Sequence, residues 1–429
     1  MWLAGYRIVL WLALPLVLLR LWWRGLREPG YRWQIGGRFG LYREPPGNGD
    51  RPVIWLHAVS MGETRAAEPL VRALAARYPG YRLLITHMTA TGRDTARHLY
   101  ADCPQVDLAW LPYDYPFAVR RFLKQFRPRL GILMETEVWP NLVEACKTRG
   151  VPLLLANARL SEKSARTYGF LAPLAREMFS CLAALSVQTQ DDADRLLGLG
   201  ARREVTEISG NLKFDVAIEA QAAGYPDFLR KRIGERPVFL AASTREGEEQ
   251  LLLDALTKGA ELPPDTLVVL VPRHPQRFND VAAILEKMSL RYTRRSENRP
   301  VPTDCRFVLG DSLGEMSAYY AAADCAFVGG SLLRLGGQNL IEACAAGVPV
   351  LIGPHTFNFS QAADEAVIAG AALRVGGADE LVREAGRLLG DEVARDAMKH
   401  AGIAFCNRHR GATGRTLAIC ERLLAQRAA

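Results

Sequence analysis

The chain has 429 residues, of which 49% are hydrophobic and 23% charged, and its formal net charge is +8. This length exceeds one ordinary hydrophobic core and predicts two domains, and the composition excludes a largely disordered protein. The positive charge favours anionic partners, but nucleic acid is disfavoured because no Lys/Arg-rich run interleaved with aromatic residues follows the first forty residues.

The eight cysteines are scattered and form no Cys-x-x-Cys pair, and the seven histidines show no metal-ligand spacing. Several cysteines lie in apolar runs, which is typical of buried free thiols in a reducing compartment. We therefore expect no structural zinc and no bound cofactor.

The N-terminal segment, residues 1–30, is predicted to be a membrane anchor. Its apolar run, Ile8 to Leu19, is shorter than the ~18–20 residues of a clean span, so it could cross the bilayer with snorkelling arginines or lie in the interface. A signal peptide is disfavoured by the lack of a small-residue cleavage site, and a buried core helix by the flanking charges. The arginines that follow the run place the body of the chain in the cytoplasm.

The next predicted region is an N-terminal α/β domain, residues 31–215. Short apolar runs alternate there with amphipathic helical stretches, which predicts a parallel, doubly wound sheet. The predicted strands are Val53–Leu56, Leu83–Thr86, Leu130–Met134, Leu153–Ala156 and Leu185–Val187.

A linker is predicted at 216–236, followed by a second α/β domain at 237–405. The predicted strands of this domain are Val238–Ala241, Leu267–Val271, Phe307–Leu309, Cys325–Val328 and Val348–Ile352. A C-terminal helix in 406–429 could pack back on the N-terminal domain. Two such halves predict a cleft between them, with ligands at the carboxyl ends of the strands.

The first strand-end motif carries a candidate general base, Glu63, at the mouth of the following helix. A helix N-terminus favours an ionised carboxylate, which suits this role. The competing structural interpretation is a capping box between Ser60 and Glu63. The surrounding residues also resemble a nucleophile elbow, but no Asp and His follow at strand ends in the order that a hydrolase needs.

Two further motifs close the first half of the chain. Glu135 and Glu137 follow a buried strand beside Trp139, and Lys213 lies in a turn that leads into the linker. Lys213 is a candidate for neutralising phosphate charge, and the alternative is a solvated lysine.

Strand ends of the second half carry Arg273 and several glycine-rich turns. Arg273 could grip a phosphate or carboxylate with its forked guanidinium, and Glu342 could accept hydrogen bonds from ribose hydroxyls. Glycines let backbone N–H groups approach an anion. Repetition of such turns at successive strand ends indicates a nucleotide site.

Standard nucleotide fingerprints are missing from the sequence. Neither a Walker A motif nor a Gly-x-Gly-x-x-Gly motif occurs, which argues against a kinase and a standard dehydrogenase. Asp192-Ala193-Asp194 is formally an Asp-x-Asp motif, but we interpret it as charge at a helix N-terminus rather than as a metal site.

Taken together, these motifs resemble the lipopolysaccharide Kdo (3-deoxy-D-manno-octulosonic acid) transferases along nearly the whole chain. One departure is that the family usually has Asn-Pro-Leu-Glu where this chain has Asn339-Leu340-Ile341-Glu342. The stretches that carry the resemblance are His57–Glu63, Met134–Asn141, Asn157–Ser161, Gly210–Asp215, Ala242–Thr244, Pro272–Pro275 and Gly329–Ser331.

The resemblance implies a GT-B architecture, meaning two Rossmann-like domains facing a cleft, with an N-terminal membrane anchor at the bacterial inner membrane. It implies CMP-Kdo as donor, lipid IVA as acceptor, and inversion at the anomeric carbon without a metal ion. Glu63 would be the base, and Glu135 and Lys213 would stabilise the transition state. The implied CMP-Kdo-binding positions are Pro272, Arg273, Leu313, Gly314, Glu315, Asn339, Leu340, Ile341 and Glu342.

Three alternatives remain open at this point. One is a GT-B enzyme that uses another nucleotide sugar, and the second is a membrane-bound nucleotide-sugar binding protein without catalysis. The third, an acyl hydrolase that uses Ser60, predicts labelling by a serine-directed fluorophosphonate.

Overall fold

The computed structural model describes residues 2–32, 34–42, 51–216, 227–258 and 262–426. The chain divides into two compact units. The first comprises Met1–Val216 together with Gly411–Ala429, and the second comprises Ala217–Arg410.

The first unit begins with a long helix, α1 (Trp2–Arg27). By length and hydropathy, residues Trp2–Leu26 could cross a membrane.

The body of the first unit is a seven-stranded, all-parallel sheet in the order β3-β2-β1-β4-β5-β6-β7. Its strands are β1 (Val53–His57), β2 (Arg82–His87), β3 (Val106–Trp110), β4 (Pro128–Met134), β5 (Leu153–Ala158), β6 (Ala184–Val187) and β7 (Thr206–Ile208). Its helices are α2 (Met61–Ala66), α3 (Glu68–Arg77), α4 (Ala90–Leu99), α5 (Pro116–Phe126), α6 (Pro140–Thr148), α7 (Glu162–Gly169), α8 (Ala172–Ser180), α9 (Gln190–Gly198) and α10 (residues 212–216).

Helices cover both faces of this sheet because its strands are apolar on both sides. Along β1, Val53 and Trp55 pack in one core cluster with residues of α5, α6, α8 and α9. Ile54 and Leu56 pack in another with residues of α3, α4 and the C-terminal helix. Such double coverage requires non-alternating hydrophobic strands, as the sequence shows.

The second unit is another seven-stranded, all-parallel sheet, in the order β10-β11-β9-β8-β12-β13-β14. Its strands are β8 (Val238–Thr244), β9 (Leu267–Pro272), β10 (Tyr292–Arg294), β11 (Phe307–Leu309), β12 (Cys325–Val328), β13 (Val350–Ile352) and β14 (Ala372–Arg374). Its helices are α11 (Phe228–Ile233), α12 (Glu248–Thr257), α13 (Phe278–Lys287), α14 (Met316–Ala322), α15 (Ile341–Ala345), α16 (Ser360–Ile368), α17 (Ala378–Gly390) and α18 (Glu392–Arg408).

Two segments differ from the sequence prediction. A short helix, α11, occupies part of the predicted linker, while residues 217–226 of that linker lie outside the described residues. The last helix, α19 (Ala412–Gln426), begins after Arg408 ends α18, so the boundary lies later than the predicted 406. This helix packs against α3, β4 and β6 of the first unit, and Ser186 and Thr416 share a buried hydrogen bond of 2.8 Å.

Candidate active site

Glu63 lies in the first turn of α2, directly after β1. Ser60 is the N-cap of this helix, and its hydroxyl accepts a hydrogen bond from the Glu63 backbone N–H and donates one of 2.8 Å to Glu63 Oε1. Glu63 Oε2 accepts from the backbone N–H of Val59 at 2.8 Å. The carboxylate is therefore held at the carboxyl edge of the sheet by its own helix terminus.

Opposing influences set the acidity of Glu63. Burial raises its pKa most, and the charge of Glu135 raises it further. The hydrogen bonds from Val59 and Ser60 lower the pKa, and the balance brings it to about 7. A carboxyl group with such a pKa can accept a proton near neutral pH and is a candidate general base.

Glu135 follows β4 in a left-handed backbone conformation, with φ 57°. This conformation costs a residue with a side chain on the order of 1–3 kcal/mol. The backbone N–H of Glu135 still donates to Ala156 O at 2.9 Å, so the strand pairing of β4 with β5 extends to this residue. The turn directs its carboxylate to Lys213, whose Nζ lies 3.2 Å from Glu135 Oε1.

Lys213 lies in the short helix α10 rather than in the predicted turn, and Asn157 of β5 fixes the start of this helix. Asn157 Oδ1 accepts from the backbone N–H of Leu212 at 3.0 Å, and Asn157 itself has φ 53°. Asn211 Oδ1 accepts from the backbone N–H of Lys213 at 3.0 Å. Sequence reasoning gave Asn157 no individual role, and its signals were its place at a strand end and the Asn157–Ser161 stretch that carries the family resemblance.

The buried His57 ring packs against the half-buried ring of Trp139. The rings of His57 and Trp139 meet edge to face at 5.8 Å, and Trp139 Nε1 donates to Glu137 Oε2 at 3.1 Å. Burial, reinforced by the neighbouring His87, lowers the pKa of His57 to about 3, so this imidazole is neutral at physiological pH. Burial also raises the pKa of Glu137.

In the second unit, the predicted donor residues all follow strands that are neighbours in the sheet. Pro272 ends β9, and the backbone N–H of Arg273 donates to Thr244 O at 2.9 Å. The segment Leu313–Glu315 follows β11, and Asn339–Glu342 follows β12. Because β11, β9, β8 and β12 are adjacent and parallel, these segments share one carboxyl edge.

Local contacts fix each donor segment. Glu315 pairs with Arg295 at 2.8 Å, and the preceding residue, Gly314, has φ 79°, while the Leu313 side chain is exposed. Asn339 Nδ2 donates to Glu342 Oε1 at 2.9 Å. Asn339 Oδ1 accepts from the backbone N–H of Ile341 at 3.2 Å, which begins α15, and Leu340 and Ile341 are buried.

A buried carboxylate that sequence reasoning missed organises the glycine-rich turn after β12. Glu248 accepts from the backbone N–H groups of Gly330 (2.6 Å), Ser331 (2.9 Å) and Leu332 (3.0 Å), and from that of Arg245 (2.9 Å). Its side chain is fully buried, which raises its pKa. Its position on a helical face, in a run of acids, gave no signal.

In the first unit, Glu63 can therefore accept a proton from a hydroxyl group. The Glu135–Lys213 ion pair is close enough for the charge of Glu135 to affect Glu63. In the second unit, the turns that follow neighbouring strands and Arg273 lie at the carboxyl edge of the sheet, which is where parallel sheets bind ligands. Within the described ranges, no group of three or more His, Cys, Asp or Glu residues is arranged to hold a metal ion.

Comparison with known proteins adds independent observations. The family described as 3-Deoxy-D-manno-octulosonic-acid transferase (kdotransferase) matches residues 34–216, and the family Glycosyl transferases group 1 matches residues 250–405. A 3-deoxy-D-manno-octulosonic acid transferase of Bordetella pertussis is 46% identical over 94% of this chain and 96% of its own length. One of Haemophilus influenzae is 36% identical over 98% of each chain.

Among solved structures, the UDP-GlcNAc 2-epimerase of Neisseria meningitidis bound to UDP-GlcNAc superposes with a TM-score of 0.61. It shares 14% identity and covers 86% of this chain and 100% of its own, so the likeness concerns the fold alone. The predicted fold class, two Rossmann-like α/β domains of GT-B type with an N-terminal apolar helix, is confirmed.

Proposed function

The chain belongs to the Kdo transferase family, and from this premise we propose that it transfers Kdo from CMP-Kdo to lipid IVA, with inversion and without a metal ion. Kdo transfer is the activity of the family. The donor, the acceptor, the stereochemistry and the roles of the individual residues are part of what we propose.

The observation that carries the proposal is the environment of Glu63. Its carboxyl has a pKa of about 7 and lies at the sheet edge where ligands of such folds bind. Each carboxylate oxygen accepts one hydrogen bond from the protein, which leaves further lone pairs for a substrate proton.

In the proposed reaction, Glu63 removes the proton from the primary hydroxyl of the acceptor. The hydroxyl oxygen forms a bond to the anomeric carbon of Kdo from the face opposite the leaving group. The bond between that carbon and the phosphate oxygen breaks, and CMP departs with the bonding electrons. One displacement of this kind inverts the configuration.

Groups of both signs stabilise the charges that develop in the transition state. The carboxylate of Glu135 stabilises an oxocarbenium-like carbon, and the ammonium of Lys213 stabilises the negative charge on departing CMP. The guanidinium of Arg273 supplies further positive charge, and these two cations are our reason for proposing a reaction without a metal ion.

The donor-binding role of the second-unit residues is part of the proposal. Its support is their common sheet edge and the rigid turns held by Glu248 and Asn339. We place the protein at the cytoplasmic face of the bacterial inner membrane, because α1 is apolar and the eight cysteines are free thiols, as is typical of a reducing compartment.

The direct test is transfer from CMP-Kdo to lipid IVA by detergent-solubilised full-length protein in EDTA, with products weighed by mass spectrometry. Glu63→Gln is compared with wild type and with Glu162→Gln, which removes an exposed carboxylate of α7. We expect wild-type transfer from Glu162→Gln, and a loss on the order of 10²–10⁴-fold from Glu63→Gln with donor binding retained.

Two other outcomes contradict parts of the proposal. If wild type binds CMP-Kdo but transfers nothing to phosphorylated lipids, the enzyme proposal fails and a nucleotide-sugar binding protein replaces it. If EDTA abolishes transfer and a divalent cation restores it, metal independence fails while Kdo transfer stands.

A further inference from the structure

One face of α1 packs against the first unit along almost the whole helix. The residues of this face are partly or fully buried and recur every three or four positions, so they form one stripe. The stripe includes Tyr6, Arg7, Leu10, Leu14, Val17 and Leu21.

Polar contacts fix the N-terminal half of the stripe. Tyr6 Oη donates to Asp114 Oδ2 at 3.0 Å, and Arg7 Nε donates to Asn141 Oδ1 at 2.7 Å. Arg7 also forms an ion pair with Glu144. Each of these contacts joins a side chain of α1 to a side chain in the body of the first unit. They can form only while α1 lies lengthwise against that body.

The backbone and the C-terminal half are fixed as well. Tyr115 Oη donates to Leu10 O at 2.9 Å. At the other end, Leu21 is buried in a cluster with Tyr31, Ala90 and Trp110. Leu10 and Leu21 are eleven residues apart, which is about 16 Å along a helix, so the attachment is not confined to one end.

The attachment points share one edge of the sheet. Ala90 begins α4 after β2, Trp110 ends β3, and Asn141 lies in the first turn of α6 after β4. These are carboxyl ends of strands, as is the end of β1 that leads to Glu63. Helix α1 therefore runs along the edge that carries the candidate base.

The opposite face of α1 is exposed and apolar along its length. Ile8, Leu12, Leu16, Leu19 and Trp23 are spaced every three or four residues and have exposed fractions of 61%, 75%, 68%, 60% and 50%. A continuous apolar stripe of this size on one helix is typical of contact with lipid.

A helix attached in this way cannot cross a bilayer alone. If α1 stood perpendicular to the membrane, Asp114, Asn141 and Glu144 would enter the hydrocarbon region beside it. Charged groups at that depth cost several kcal/mol each even on lenient scales. A helix in the membrane plane avoids this cost, because only its exposed face enters the lipid.

We propose that α1 does not span the membrane but lies in the plane of the cytoplasmic leaflet, with its Ile8–Trp23 stripe inserted among the acyl chains. The exposed Arg20 and Arg32 then meet anionic lipid headgroups. The N-terminus stays on the same side as the catalytic body, and the Glu63 edge lies at headgroup height, where a lipid acceptor presents its sugar.

The proposal rests on the proposed function only for the choice of membrane face, and its tests need no sugar transfer. The first test is cysteine accessibility in spheroplasts that express the full chain. Gly5→Cys is suited to it because Gly5 is exposed and an added Cβ meets no atom within 4 Å. Cys103 and Cys181 are replaced by Ser, since the other six cysteines are buried.

Gly80→Cys is the matched control, because Gly80 lies in an exposed turn of the body and also has no neighbour within 4 Å of an added Cβ. We expect a membrane-impermeant maleimide to label neither variant in intact spheroplasts and both after permeabilisation. Labelling of Gly5→Cys, but not of Gly80→Cys, in intact spheroplasts overturns the proposal.

The second test measures depth by spin labels at positions 12, 16, 19 and 23 of the full chain in vesicles of phosphatidylethanolamine and phosphatidylglycerol. An in-plane helix predicts similar, shallow depths of about 5–10 Å at all four positions. A spanning helix predicts depths that differ by up to about 16 Å between positions 12 and 23. Such a gradient, or failure of the protein to bind these vesicles, overturns the proposal.

Discussion

The pKa of Glu63 gives the transfer reaction a defined pH dependence. A base must be deprotonated to act, so kcat/KM is expected to rise as pH increases through about 7. Between pH 6 and pH 8 the deprotonated fraction of such a group grows from about 9% to about 91%, roughly a tenfold gain, whereas a carboxyl with an ordinary pKa would gain almost nothing.

After burial, the charge of Glu135 is the largest influence on the pKa of Glu63. Because the charge of Glu135 raises the pKa of Glu63, Glu135→Gln should move the acidic limb of the profile to lower pH, while it also reduces the maximal rate. Glu63→Gln should remove the acidic limb and lower kcat/KM by about 10²–10⁴-fold.

The assay is the initial rate of CMP release from CMP-Kdo with lipid IVA, followed from pH 5.5 to 8.5 in a constant-ionic-strength buffer. Glu162→Gln serves again as the control and should keep the wild-type profile. A Glu63→Gln enzyme that retains the wild-type rate and the same acidic limb would refute the reasoning, and another group would then be the base.

Three further perturbations test the supporting structure. Ser60→Ala removes a hydrogen bond to the Glu63 carboxylate, so the acidic limb should move to higher pH in the same rate assay. Loss of the helix cap should also lower the free energy of unfolding by about 1 kcal/mol. Glu248→Gln leaves backbone amides of the glycine-rich turn without an acceptor, and calorimetry should show CMP binding at least about tenfold weaker, whereas Glu246→Gln, at an exposed site, should bind normally. Asp215→Ala removes the acceptor for Gly411 N–H (2.7 Å) and Thr413 N–H (2.6 Å) at the start of α19. Urea unfolding should show a free energy of unfolding lower by about 1–2 kcal/mol. An unchanged midpoint would mean that this carboxylate does not stabilise the helix.

The interior strands were predictable because they are apolar on both faces. Cys325–Val328 was predicted with the bounds that the structure shows, and Val53–Leu56 differs by one residue. The strands that the sequence did not reveal lie at or near the sheet edges and are short or polar, such as β3, with Asp107, and β7. These segments form strands because they pair with a neighbouring strand, and the local sequence does not show that pairing.

Residues of the candidate site could be predicted from the sequence only where they lie shortly after a predicted strand. Glu63, Glu135 and Lys213 all lie shortly after strands, and the structure brings Glu135 and Lys213 together although they are far apart in the chain. Glu248 acts through backbone groups more than 80 residues away, so no local pattern shows its role. The left-handed backbone of Glu135 likewise follows from tertiary contacts that over-determine the turn.

The two interpretations of Glu63 that the sequence left open are compatible, and their coexistence explains its acidity. As part of a helix cap, the carboxylate is oriented by Ser60 and Val59, whose hydrogen bonds favour the charged form. Burial and the charge of Glu135 favour the neutral form. A carboxylate held only by the cap would be too weak a base, and one that was only buried would lack a fixed direction. The cap fixes the position, and burial with Glu135 sets a proton affinity suited to neutral pH.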